Sequence, residues 1–538
     1  MAKKLNPGEV YLVASGDLRL PANQLCWEEQ SKMEEALKNA VKNLGCKIVR
    51  AHPFKKDEGH GFIGSQKEGL DVFSKMDPDA PVIVAESVWQ YSHHVYPGLL
   101  THRGPILNVA NWSGTWPGLV GMLNLNACLT KAGKKFSTLW SVDFTDQWFL
   151  SRLEKWLKDG KIIKQDTSHL RPFESMKISA ADRALGEKIA AEIREKKVIL
   201  GVFDEGCMGM YSAIVPDELL FPIGVFKERL NQSALYYETM QISDAEAKAV
   251  FDWLVKKGVT FHFGKNEKTD LTKNQVLLQC KMYIAAARMA DRFGAGMIGL
   301  QYQQGLKDLL PASDLVEGIL NNADRPPVKS ADGKRILWAG KPILHFNEVD
   351  ECAALDALLD NRTLAACGQP LETTLHDVRW GDFDQSGTVK DFVWVMQISG
   401  AAPPAHFKKG WKGAHSWRQT PMYFPFGGGT LAGVYKPGEL VWSRTFVENG
   451  KLGMDIGRAS AVDLPQKEVE RRLGLCAPNW PIANLVLHGV SRDQFMGRHR
   501  ANHIQVCYAR SAKEANRVLA VKAAAANALG FKVTRCGN

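Results

Sequence analysis

The sequence has no run of about 18 consecutive apolar residues, which excludes a membrane-spanning helix. It has no Cys-x-x-Cys pair among its 10 cysteines, which argues against a disulfide framework and against a structural zinc site. Free thiols fit a reducing, cytoplasmic setting. The first residues include Pro7, Glu9 and Asp17, which leave no apolar core for a secretion signal, so none is expected. There is no internal repeat, no low-complexity tract and no long block of like charge. The 68 basic and 58 acidic residues are interleaved, and clusters such as Lys55-Lys56 and Lys134-Lys135 are short. The net charge of +10 therefore reads as solvated lysines, with some attraction for an anionic substrate, rather than as a nucleic-acid groove.

What is present is an ordinary globular balance. Hydrophobic residues make up 45% and charged residues 23% of the 538, enough to bury a large core. At roughly 100–200 residues per domain, the length predicts about three domains. Short apolar, β-branched runs recur at Val10–Ser15, Cys46–Arg50, Pro81–Ser87, Pro105–Ala110 and Phe136–Ser141, and Trp27–Leu44 between the first two has helical spacing. This rhythm predicts a doubly wound parallel sheet, Rossmann-like, over residues 1–195. A charged helix over Ala180–Lys196 leads into a strand at Lys197–Phe203. A second α/β unit of the same kind follows over 196–360, with strands at Thr260–Phe263, Gly296–Tyr302 and Pro342–Glu348. Asn321–Arg335, rich in Pro, Asp, Asn and Lys, reads as a surface loop. After about residue 360, Gly, Pro and Trp become frequent, and strand-like runs such as Phe392–Ser399 alternate with turns. Residues 361–538 are expected to be β-rich, closing with the strand His503–Ala509, the helix Lys513–Leu529 and the strand Phe531–Arg535.

Three segments carry candidate chemistry. In Ile343–Asp350 (ILHFNEVD) an apolar strand ends in carboxylates. Ligands of open α/β sheets bind beyond the carboxyl ends of strands, so Glu348 is either functional or a turn or helix-capping residue. In Leu375–Asp382 (LHDVRWGD), Asp377 is either a metal ligand or half of a buried pair with Arg379. In Arg500–Tyr508 (RANHIQVCY), His503 opens a strand beside Asn502, a position more often structural. Two carboxylates and an imidazole together would make an open site for a divalent ion such as Mn²⁺. Weaker candidates are Gly427-Gly428-Gly429, read as a turn; His93-His94, read as surface histidines; and Asp204-Glu205, read as metal ligands or as a cap on the following segment.

Taken in chain order, these segments resemble the L-fucose isomerase family, within the wider L-fucose/L-arabinose isomerase group. Asn347-Glu348-Val349-Asp350 is similar to the family's Glu-Asn-Asp segment, His376-Asp377-Val378-Arg379 to its Ala-Asp-Val-Arg segment, and Ala501-Asn502-His503 to its Ala-Asn-His segment. Trp27-Glu28-Glu29-Gln30 resembles its opening helix, and Asn108–Pro117 (NVANWSGTWP) its first Gly-rich strand–turn–helix.

The resemblance implies a metal-dependent aldose–ketose isomerase working through an enediol. Glu348, Asp377 and His503 would hold Mn²⁺, replaceable by Mg²⁺, Co²⁺ or Ni²⁺, and Glu348 and Asp377 would be the catalytic pair. It also implies substrate contacts from Gln303, Ser399, Trp480, Asn502, Met208 and Arg19, and from Trp89 across a boundary with a neighbouring subunit. The expected partners are a small sugar and further copies of the chain, as a hexamer or trimer. Departures from the family include the stretch between Ser399 and Gly427, where His406, Lys408, Lys409, Lys412, His415 and Arg418 read either as a solvated loop or as residues of which one or two face an anionic sugar, with Arg418 the best candidate to bind it. A metal-dependent lyase or epimerase, and a non-catalytic sugar-binding protein, are the competing classes.

Overall fold

The computed structural model describes residues 4–205, 209–300 and 304–537. The five N-terminal β-branched runs form one parallel sheet. β1 (Glu9–Val13), β2 (Lys47–Arg50), β3 (Val82–Glu86), β4 (Ile106–Asn111) and β5 (Ser137–Ser141) lie in the order β2-β1-β3-β4-β5. Alternation along β1 sends Val10 and Leu12 to one face, against Met33, Leu37 and Trp156, and Tyr11 and Val13 to the other, against Leu99, Leu125 and Leu129. Helices therefore cover both faces, as in other doubly wound sheets. The first helix spans Leu20–Asn43 and starts earlier than its charge pattern suggests, because Pro21 fits the first turn, where no amide donor is needed.

β6 (Leu170–Pro172) leaves this sheet and pairs far away, at the other end of the chain. A second parallel sheet then assembles in the order β11-β10-β7-β8 from β7 (Val198–Phe203), β8 (Val225–Leu230), β10 (Met297–Leu300) and β11 (Leu344–His345). The short β9 (Thr260–Phe261) pairs instead with β14 (His415–Ser416). The stretch Asn321–Arg335 forms no regular element, but it is anchored rather than loose. Arg325 is buried, and its guanidinium donates to the Tyr283 hydroxyl and to the Leu337 carbonyl, both at 2.7 Å.

The β-rich C-terminal part is a closed antiparallel barrel. β12 (Thr373–Phe383), β13 (Phe392–Gln397), β15 (Gly438–Glu448), β16 (Lys451–Ala461), β17 (Ala483–Leu487) and β18 (His503–Ala509) join in the cycle β15-β18-β12-β13-β17-β16-β15. Closure removes the exposed edges that an open sheet would carry. β19 (Lys532–Cys536) adds to β16 in parallel, and β6 adds to β19. The helix Ala180–Lys196, beyond β6, packs on the C-terminal helix Ala512–Ala528. Lys522 on that C-terminal helix is fully buried and donates to Asp360 and to the Ser443 hydroxyl, both at 2.6 Å. It thereby locks the helix Glu351–Ala366, which follows Glu348, onto the barrel.

No helix among the described residues is long and apolar enough to cross a membrane. The nine described cysteines are free.

Candidate active site

Register brings two of the three expected donors together. β12 and β18 pair antiparallel with Asp377 opposite His503, so both side chains project from the same face of the barrel wall. Glu348 arrives from the second sheet, in the turn after β11. Its backbone sits at φ 58°, ψ 20°, and Val349 follows at φ 52°. Left-handed backbone is unfavourable for any residue with a Cβ, most of all a β-branched one. Such strain concentrates where a side chain must be aimed.

The result is a buried cluster. His503 Nε2 lies 3.4 Å from Glu348 Oε2 and 3.4 Å from Asp377 Oδ1. Nε2 is buried and has no hydrogen-bond partner. The other ring nitrogen, Nδ1, is 2.7 Å from Asp350 Oδ2, and that oxygen also accepts from Arg444 at 2.6 Å. The second Asp350 oxygen caps the helix Glu351–Ala366 by accepting from the Ala353 amide. Asp377 is steadied by Asn502, whose side-chain amide donates to Oδ1 at 3.1 Å. The alternative reading of Asp377, a buried pair with Arg379, does not hold. Arg379 donates instead to the carbonyls of Gly114 and Thr115, at 3.0 and 2.9 Å, tying the loop after β4 to the barrel.

The donor set fits a divalent ion. As the side chains stand, no group of three or more His, Cys, Asp or Glu among the described residues is placed to hold a metal ion. Ligands bound to one ion at about 2.1 Å stand roughly 3.0–3.4 Å apart, however. The two 3.4 Å separations around Nε2 match that spacing. Asp350 fixes Nδ1 as the protonated nitrogen and leaves Nε2 for the ion, the carboxylate–histidine arrangement of many metal centres.

Asp350→Asn should therefore weaken Mn²⁺ affinity by about 10–100-fold. Competition against a chelator reads this directly, and an unchanged affinity contradicts it.

Electrostatics follow from burial. Burial depresses the His503 imidazolium, but the bond to Asp350 and the nearby Glu348 and Asp377 carboxylates outweigh it and raise His503 to about 10. Burial, with Glu348 adding to it and His503 opposing, raises Asp377 to about 7. Burial also opposes ionisation of Asp350, but Arg444 and His503 prevail and hold it well below the usual carboxylate range. A dication held here would displace the protons from His503 and Asp377. Protons compete with the ion, so affinity must rise with pH. Between roughly pH 7 and 10, Mn²⁺ affinity should climb about tenfold per pH unit and then level off. Flat affinity across that window contradicts the assignment of His503 as a ligand.

Glu348 and Asp377 open into a narrow cleft of about 60 Å³. Its wall includes Arg379, Ser399, Tyr423, Phe424, Trp480, Arg19 and Trp89. Arg19 follows β1 and Trp89 follows β3, the neighbouring strands whose connections run to opposite faces of the first sheet. That switch point is where doubly wound sheets bind ligands. Arg19 is held by two bonds to Asp17, at 2.7 and 2.6 Å, and its Nη1 is buried without a partner. Helix Gly118–Lys131 reaches the same wall through Pro117 and Val120. Gly118 permits this close approach, since a Cβ there would meet the Glu86 carbonyl oxygen at 2.5 Å. A wider cleft of about 340 Å³, which Trp480 also lines, has no carboxylate in its lining.

Of the expected substrate residues, Arg19, Trp89, Ser399 and Trp480 meet in this cleft, while Asn502 stands behind Asp377. Met208 and Gln303 lie outside the described residues. Trp89 lines the cleft of its own chain. Arg418 is not on a solvated loop. It is buried, and its guanidinium donates to the carbonyls of Gln419, Pro425 and Glu267. His94 is buried against Tyr91 rather than at the surface. Asp204 accepts from the Gln232 amide at the start of the next helix, and Glu205 pairs with Lys227. Arg444 and Gln419 lie in no motif, and Asp350, the last residue of the Asn347–Asp350 motif, was assigned no role. The one available hint was that Asp350 shares the carboxylate-rich strand end with Glu348.

No family model matches the chain, and no curated protein matches it.

Proposed function

We propose that this protein is a metal-dependent aldose–ketose isomerase. The observation that carries the proposal is the convergence of Glu348, Asp377 and the unpartnered His503 Nε2 at one end of an aromatic-walled cleft. A divalent ion held there, with Mn²⁺ the working choice, would supply positive charge to adjacent sugar oxygens.

The chain's own groups then have distinct tasks. Interconversion moves one carbon-bound proton between C2 and C1 and one oxygen-bound proton between O2 and O1, through an enediol. Glu348 takes the proton from C2 and returns it to C1. Asp377 moves the oxygen proton. General acid–base help of this kind contributes roughly 10²–10⁴-fold. Trp89, Phe424 and Trp480 keep water from the reacting carbons, and Arg379 adds positive charge to the wall as negative charge develops on the sugar. Pro117, Val120 and Phe424 form an apolar strip that suits a methyl group or a shortened chain. A neutral deoxyhexose or pentose, L-fucose- or D-arabinose-like, is therefore the working substrate.

The test is a panel of aldoses and ketoses, acidic sugars included, assayed with and without Mn²⁺. Isomerisation of a neutral sugar only with metal present is expected; no isomerisation of any sugar contradicts the proposal. The implied hexamer is tested by light scattering on active protein, and an active monomer contradicts it.

A further inference from the structure

One cleft wall is held by a residue that no motif singles out. Gln419 is fully buried. Its Oε1 accepts the indole N–H of Trp480 at 2.9 Å. Its Nε2 donates to Asp314 Oδ1 at 2.9 Å and to Ser399 Oγ at 3.3 Å. Trp480 and Ser399 both line the cleft with Glu348 and Asp377.

The direction of this amide is dictated by its partners. An indole nitrogen only donates, so the atom facing it must be the amide oxygen. Turning the amide around would set NH₂ against N–H and a carbonyl against the Asp314 carboxyl. With the amide fixed, Ser399 Oγ is an acceptor towards Gln419. Among the described residues its own hydrogen has no acceptor, and the open direction is the cleft.

We infer that Gln419 is a positioning residue that occupies one lone pair of Ser399 Oγ, turning the hydroxyl hydrogen towards the substrate, and pins Trp480 as a fixed wall. The cleft thereby selects a substrate oxygen that accepts at that place. This rests on the reading of the cleft as a sugar site. A substrate group that can only donate would leave the Ser399 hydrogen without an acceptor and bind less well.

The inference is tested on the full-length, Mn²⁺-loaded protein with monodeoxy and monodeoxyfluoro versions of the best sugar. Fluorine accepts weakly and cannot donate; hydrogen does neither. At one position of the sugar, the fluoro analogue should bind roughly fivefold to tenfold more tightly than the deoxy analogue. Ser399→Ala, a small change that leaves Gln419 in place, should erase that preference while affecting KM more than kcat. Gln419→Glu keeps an acceptor for Trp480 but draws the Ser399 hydrogen inward, and should also erase the preference. Gln419→Met should erase it and also speed hydrogen exchange at the Trp480 indole N–H, which Gln419→Glu should leave slow. A fluoro-over-deoxy preference that survives Ser399→Ala, or indole exchange unchanged in Gln419→Met, overturns the inference. If no sugar binds the wild-type protein, the sugar reading itself fails, and the indole exchange still decides whether Gln419 pins Trp480.

Discussion

Glu348→Gln should lower turnover by about 10²–10⁴-fold at saturating Mn²⁺. The substitution keeps the size of the side chain and one ligand oxygen, so the turn at φ 58° and the helix start at Asp350 stay in place. It removes the carboxylate that accepts the carbon proton, and an amide cannot replace it at neutral pH. The loss should fall on kcat, with KM changed little, because the sugar is still gripped by the cleft wall. Metal affinity should also fall, since one negative charge is lost, which is why the comparison is made at saturating Mn²⁺. A variant with near-normal kcat removes Glu348 from the mechanism.

Stripping divalent ions should abolish isomerisation, and Mn²⁺ should restore it. A Lewis acid contributes several kcal/mol to a reaction of this type, equivalent to about 10²–10⁴-fold in rate. The structure adds a reason specific to this chain. Without an ion, His503 is protonated at neutral pH and its Nε2 hydrogen stands between Glu348 and Asp377. An imidazolium there would face both carboxylates proposed for catalysis, so the ion-free state should be doubly impaired. Mg²⁺, Co²⁺ and Ni²⁺ should restore activity in part. Full activity in rigorously ion-free protein contradicts the whole scheme.

Much of the fold was legible in the sequence, because short β-branched runs alternating with helical spacing admit few arrangements. All five strands of the first sheet lie where those runs fall. The closed barrel was not legible beyond a β-rich tendency. Its longest hairpin, β15–β16, turns at Asn449-Gly450 with φ 51° and 68°, a two-residue signal that stood in the sequence unused. Closure depends on pairings such as β15 with β18 and β13 with β17, which are distant along the chain and leave no local mark.

Of the site, the donor types were readable and their meeting was not. Asp377 faces His503 only because β12 and β18 are neighbours in one register. Arg418 drew attention as a basic residue in a basic stretch, yet its charge is spent on carbonyl oxygens that folding alone supplies. The neighbouring Gln419 went unnoticed, since its partners Ser399, Trp480 and Asp314 are 20, 61 and 105 residues away.

The most direct measurement is a crystal of the protein grown with Mn²⁺, with data collected at the manganese absorption edge. A single strong anomalous peak is predicted within bonding distance of His503 Nε2, Glu348 Oε2 and Asp377 Oδ1, with Asp350 still on His503 Nδ1. A crystal of active protein with no peak there, or with the ion bound by other residues, contradicts the central claim.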